Sequence, residues 1–189
     1  MKGNSITIGI CLTFSVIFAG YEDSLISAWD GRDNFSAKIT RTNITFIDTT
    51  IEKGVFAIGK PDAIYRTETE LVLFTAGTLY TFTSGSDVGL KLPMKDFVYA
   101  DIGTLMKKLR EEFEIGYIHT DSGVTITGKK GLGDITEFTA VLDRHYLPVS
   151  INWVDIFGYK VILEFEDVDT GNPGDIFEIP EEIDFILQE

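Results

Sequence analysis

The side chains able to do chemistry are few, and their spacing suits none of the common reactions. His119 and His145 are the only two histidines, and neither stands beside Asp or Glu at a metal-ligand interval such as His-x-x-x-His. A serine nucleophile would be announced by Gly-x-Ser-x-Gly and a phosphate cradle by a glycine-rich loop, and the chain has neither. The single thiol, Cys11, follows Ile10 and precedes Leu12-Thr13-Phe14, whereas lipoprotein processing wants a small residue before the cysteine and a polar start after it. Acidic runs at residues 110–114, 164–169 and 181–184 lack the spaced oxygens and the glycine of a calcium loop, so they read as solvated faces. The expectation is a protein that is not an enzyme and has no catalytic residue, metal or cofactor.

Charge narrows the partners. Thirty acidic against sixteen basic residues leave a formal net charge of −14, which repels phosphate backbones and anionic headgroups alike. Nucleic acid is therefore not expected, and any lipid contact has to be apolar and enclosed. Residues 1–20 place one Lys before an apolar run over 6–18 that ends in Ala19-Gly20, the pattern of a secretory signal cut after Ala19 or Gly20. The run is shorter than the roughly 20 residues of a comfortable membrane span. Without the leader no cysteine remains, so an exported chain would form no disulfide. Residues 21–189, with 44% apolar residues in the whole sequence, are long and apolar enough for one domain with its own core.

The elements that would position any site are strands. Fourteen Phe, seven Tyr and two Trp favour a pleated surface. Over residues 138–143, 147–155 and 157–168 apolar and polar residues alternate at period two, with turns at 143–147 and 155–158, which predicts an antiparallel meander. Phe177, Ile179 and Pro180 would return as a short edge segment. Phe35, Ala37 and Ile39 share one face of an earlier strand, residues 71–82 form a hairpin turning at Ala76-Gly77, and 117–129 and 134–142 supply further strands. Two helices are expected. Leu25, Ile26, Ala28 and Trp29 fall at helical spacing, and Asp101 caps a run of Ile102, Leu105, Met106, Leu109 and Phe113.

The order of these pieces resembles the LolA-like outer-membrane lipoprotein carriers. The similarity covers most of the chain after the leader: Phe35-Ser-Ala-Lys-Ile as a first strand, residues 54–61 ending in Lys60-Pro61, Tyr65-Arg66, the 71–82 hairpin, and the final meander with Asn172-Pro173 and Phe177-x-x-Pro180. Four positions depart from the family pattern. Lys60 stands where carriers usually have Arg, Tyr65 precedes Arg66 where a Trp is expected, and Ala76 and Tyr80 replace the Asp and Trp of the hairpin. Lys lacks the planar fork of Arg, so the family's helix-locking device is in doubt.

The resemblance implies an α+β fold, a strongly curved antiparallel sheet forming an incomplete, half-open β-barrel with helices covering the concave face. It also implies a periplasmic carrier that binds lipoprotein acyl chains or another apolar lipid and transfers it across the envelope, as a monomer. An inner-membrane releasing complex and an outer-membrane acceptor would be its partners. The expected lining is Phe35, Phe56, Tyr65, Leu73, Tyr80, Phe138, Trp153 and Phe165, and the mouth or lid is Trp29, Lys60, Pro61, Leu105 and Leu109. The alternative is an envelope sensor or protein-interaction module that fills the same scaffold's cavity with its own side chains.

Overall fold

Period-two sequences become a single sheet. In a computed structural model of the protein, residues 32–94, 111–129 and 134–187 are described, together with Leu25, Ser27 and Ala28. The strands are β1 (Asn34–Ile44), β2 (Thr49–Gly59), β3 (Asp62–Thr67), β4 (Glu70–Thr75), β5 (Thr78–Thr83) and β6 (Gly89–Pro93), then β7 (Glu114–Thr120), β8 (Gly123–Lys129), β9 (Ile135–Asp143), β10 (Pro148–Asp155), β11 (Lys160–Asp169) and β12 (Phe185–Leu187).

Two antiparallel meanders, β1–β6 and β7–β11, are joined side by side where β1 pairs with β11. That seam puts Ile39 opposite Phe165 and Arg41 opposite Leu163. The resulting order is β12-β6-β5-β4-β3-β2-β1-β11-β10-β9-β8-β7, and β12 lies parallel to β6. The terminal strands β12 and β7 do not pair with each other, so the sheet stays open.

The C-terminal meander forms as its alternation predicts. Its turns are fixed by aspartates: Asp143 Oδ1 accepts from the backbone N–H of His145 and Leu147, and Asp155 Oδ1 accepts from those of Phe157 and Tyr159. Gly158 takes φ of +78°, the left-handed conformation that glycine adopts at little cost. The 71–82 hairpin turns at Ala76-Gly77, where both residues have positive φ.

The α+β expectation, with helices over a concave face, is overturned. The described residues are almost entirely strand, and helical backbone among them is confined to Leu25, Ser27, Ala28 and residues 111 and 112. Trp29 and residues 101–110, including Leu105 and Leu109, lie outside the described residues. Phe113, expected at the end of the second helix, is not helical and is buried beside β9, its ring 5.1 Å from that of Phe138. Nor is the last segment the short edge strand expected at Phe177–Pro180. Residues 176–183 cross one face of the sheet, and the edge strand is β12.

Candidate functional site

Direct cross-strand partners share a face, so register assigns every side chain. One face, called the broad face here, carries Phe35, Ala37 and Ile39 of β1, Phe56 of β2 and Tyr65 of β3. Across the seam it continues with Leu163 and Phe165 of β11, Ile151 and Trp153 of β10, Phe138 and Ala140 of β9 and Ile126 of β8. These residues form one buried apolar cluster, which also holds Leu25 and Phe113.

Its rings close on one another. Phe56 lies 5.7 Å from Phe35 and 6.1 Å from Phe165, both edge to face, so rings from β2 and β11 meet across the intervening β1. Phe138 packs directly against β8 because its cross-strand partner, residue 128, is glycine. A Cβ at Gly128 would stand 2.1 Å from the ring's Cε1.

The opposite, strapped face is apolar only over β2–β5, where Ala57, Ile64, Leu71 and Leu73 are buried. Ile176, Phe177, Ile183 and Phe185 cover them. Phe185 meets Tyr80 edge to face at 5.2 Å and sits over Gly89, where a Cβ would be 2.4 Å from its ring.

Of the lining residues expected from sequence, the broad face brings together Phe35, Phe56, Tyr65, Phe138, Trp153 and Phe165. Leu73 and Tyr80 point the other way, to the strapped face. Lys60 and Pro61 form the exposed β2–β3 turn, where Lys60 Nζ stands 3.8 Å from Asp33 Oδ1 and its backbone N–H donates to the Asp33 carbonyl.

Sequence reasoning missed a polar group that ends the β1–β4 half of the broad face, level with Leu163 and Ile151 of the other half. Arg41 follows Phe35, Ala37 and Ile39 in the same phase and is buried among them, which alternation alone could have shown. Its Nη1 pairs with Glu70 Oε2 of β4 and donates to Tyr65 Oη at 3.3 Å, and its Nε donates to Asn43 Oδ1 at 2.8 Å. Glu52 of β2 completes the group. Its Oε1 accepts from Thr69 Oγ1, and its Oε2 is buried without a hydrogen-bond partner.

Burial pushes the Glu70 carboxyl above its ordinary value, and the attraction of Arg41 only partly opposes it. The Tyr65 phenol is pushed up to about 12, again mainly by burial. The group thus joins a guanidinium, a phenol and two carboxylates inside an otherwise apolar surface. Among the described residues, no group of three His, Cys, Asp or Glu side chains could hold a metal ion. The site therefore offers apolar area with a polar group at the end of its β1–β4 half.

No family model matches the chain, and no curated protein matches it. Solved structures do. A conserved uncharacterised protein from Thermus thermophilus overlays with a TM-score of 0.56 at 8% identity, covering 88% of this chain and 96% of that one, so the two share a fold. A LolA superfamily protein from Nitrosomonas europaea gives a TM-score of 0.38 at 8% identity, over 90% and 97% of the two chains. The Mycobacterium tuberculosis lipoprotein LppX gives 0.42 at 10% identity, over 88% and 99%.

Proposed function

We propose that the protein is a non-enzymatic carrier of the bacterial envelope, binding lipoprotein acyl chains or another apolar lipid on the broad face. The observation that carries this reading is the continuity of that face, which runs apolar from Tyr65 on β3 to Ile126 on β8. An acyl chain has no polar group to satisfy along its length and needs only such a surface. About a dozen methylenes leaving water gain on the order of 10 kcal/mol at roughly 0.8 kcal/mol each. The likeness to lipoprotein carriers in the order of strands and turns supports the same assignment.

Phe35, Phe56 and Tyr65 each keep only 1% of their surface exposed. A ligand therefore enters by parting the rings, each of which then rests on the ligand instead of on its neighbour. The Arg41 group, at the end of the β1–β4 half of the face, gives the polar end of an amphiphile a place beside the greasy region. Release requires a receiving partner with a better site, because tight holding alone transports nothing.

That same closure favours a second reading, a sensor or protein-interaction module whose rings never part. Native mass spectrometry of protein purified without detergent separates the two. Co-purified lipid, and saturable uptake of a fluorescent fatty acid, are expected of the carrier. Bare protein that ignores the probe would leave the interaction module in possession.

A further inference from the structure

Two hairpins end side by side because β1 and β11 are neighbours. The β1–β2 turn at residues 45–48 and the β10–β11 turn at 156–159 flank the pair Ile44 and Lys160. Their tips are apolar and bare: Phe46 is 80% exposed, Ile47 95% and Phe157 61%, with Ile156 and Tyr159 exposed beside them. Tyr159 joins the two tips, its ring 5.8 Å from Phe46 and 6.2 Å from Phe157. Isolated exposed apolar residues are ordinary, but five on two adjoining tips form a patch.

The tips are held rigidly. Thr45 donates its backbone N–H to the Asp48 carbonyl, and its Oγ1 accepts from the N–H of Ile47 and Asp48. The second turn is tied by the Asp155 carboxylate. Little ordering remains to be done when these side chains leave water.

The charge pattern selects the surface they meet. In a chain of net charge −14, residues 42–51 carry one charged group, Asp48, and 154–159 carry one, Asp155. Each of these carboxylates accepts from nearby backbone N–H groups. Lys53 and Lys160 stand just behind them, and Asp134, whose carbonyl accepts from the Ile156 N–H, adds a third carboxylate, so three negative groups face two positive ones here, while Glu52 is turned onto the broad face. Thr42, Asn43, Thr49 and Thr50 supply neutral hydroxyl and amide groups around the apolar points. Set against a net charge of −14, this end can approach a lipid surface with far less repulsion than the rest of the molecule would meet. Projecting apolar points with a tyrosine between them suit a soft interface that closes around each, whereas a protein partner would need a hollow for each.

We infer that the tips of the β1–β2 and β10–β11 hairpins dock the protein on a lipid bilayer, with Phe46, Ile47, Ile156 and Phe157 entering the headgroup–acyl boundary and Tyr159 at its polar edge. The inference does not depend on what the broad face binds. The test is sedimentation of the full chain with phosphatidylcholine vesicles, with and without phosphatidylglycerol. The wild type is expected to sediment with phosphatidylcholine and less with the anionic vesicles, and Ile47→Asp and Phe157→Asp each to lower partitioning roughly tenfold or more. Both positions are exposed, so circular dichroism and Tm should be those of the wild type. A Phe46→Trp reporter should shift its emission to the blue on vesicles. Wild type left in the supernatant with both vesicle types overturns the inference, as does unchanged binding by the two aspartate variants. A dimer abolished by Ile47→Asp, in protein that ignores vesicles, would assign the tips to a second copy instead.

Discussion

Arg41 is the residue on which the polar group of the broad face depends. It is the cation facing two carboxylates, Glu70 and Glu52, in a region where Arg41 and Glu70 are both buried. Removing it strands negative charge beside apolar neighbours, so Arg41→Met should lower unfolding stability by roughly 3–5 kcal/mol. Glu70→Gln leaves an acceptor for the guanidinium and one carboxylate to balance it, and should stay within about 1 kcal/mol of the wild type at pH 7. Urea unfolding of both variants decides this, and equal losses would disprove the asymmetry. The pH dependence has a definite sign. Because the Glu70 carboxyl is raised in the folded state, burial first and Arg41 opposing, proton binding favours folding. That contribution is complete below the ordinary carboxylate value of 4.5 and is lost as pH rises through the higher folded value. Glu70→Gln should therefore gain on the wild type as pH rises through that window, and a constant difference would contradict the assignment.

At the scale of elements, residues 176–185 act as a strap whose removal exposes one face of β2–β5. Truncation after Gly174 uncovers Ala57, Ile64, Leu71 and Leu73 and deletes the rings seated on Gly59 and Gly89. Hydrogen exchange should then speed up in β3–β6 while β8–β10 keep their protection, and the fragment should bind a hydrophobic dye; uniform loss of protection would show one cooperative unit instead. The strap also shows where the sequence stops being legible. The final meander could be read because β9, β10 and β11 bury one face and alternate, with an aspartate at each turn and Gly158 in the second. In β3 and β4 both faces are buried, as in Ala63-Ile64-Tyr65 and the run 70–74, so alternation carries no phase. Alternation therefore could not tell that Leu73 and its partner Tyr80 face away from Phe56. Ile176, Phe177, Ile183 and Phe185 follow neither period, since a strap running over a sheet has no regular geometry to imprint on its sequence. Arg41 was legible from parity, and the exposed tip residues were not, because turn chemistry says where the chain reverses and nothing about what it presents to solvent.

For the molecule as a whole, a face that both holds the sheet together and receives the ligand puts binding and folding in competition. The rings of Phe35, Phe56 and Phe165 supply cohesion in the empty protein and would have to separate in the loaded one. Phe56 is central to that group and belongs to a strand buried toward both faces. Phe56→Ala should cost roughly 3–5 kcal/mol by lost burial and the hollow left behind. That hollow is apolar and lies where an acyl chain would go, so the variant should take up a fluorescent fatty acid more tightly than the wild type, and saturating ligand should raise its Tm by more. The same truncation on the strapped face, Leu73→Ala, removes a buried side chain that no ligand replaces, and should destabilise without improving uptake. Fatty-acid titrations of the two variants beside thermal melts separate the possibilities. If both bind as the wild type does, or both bind better in proportion to their instability, the broad face has no special claim on the ligand. Only tighter binding at Phe56 with unchanged binding at Leu73 ties the apolar floor of the sheet to carriage.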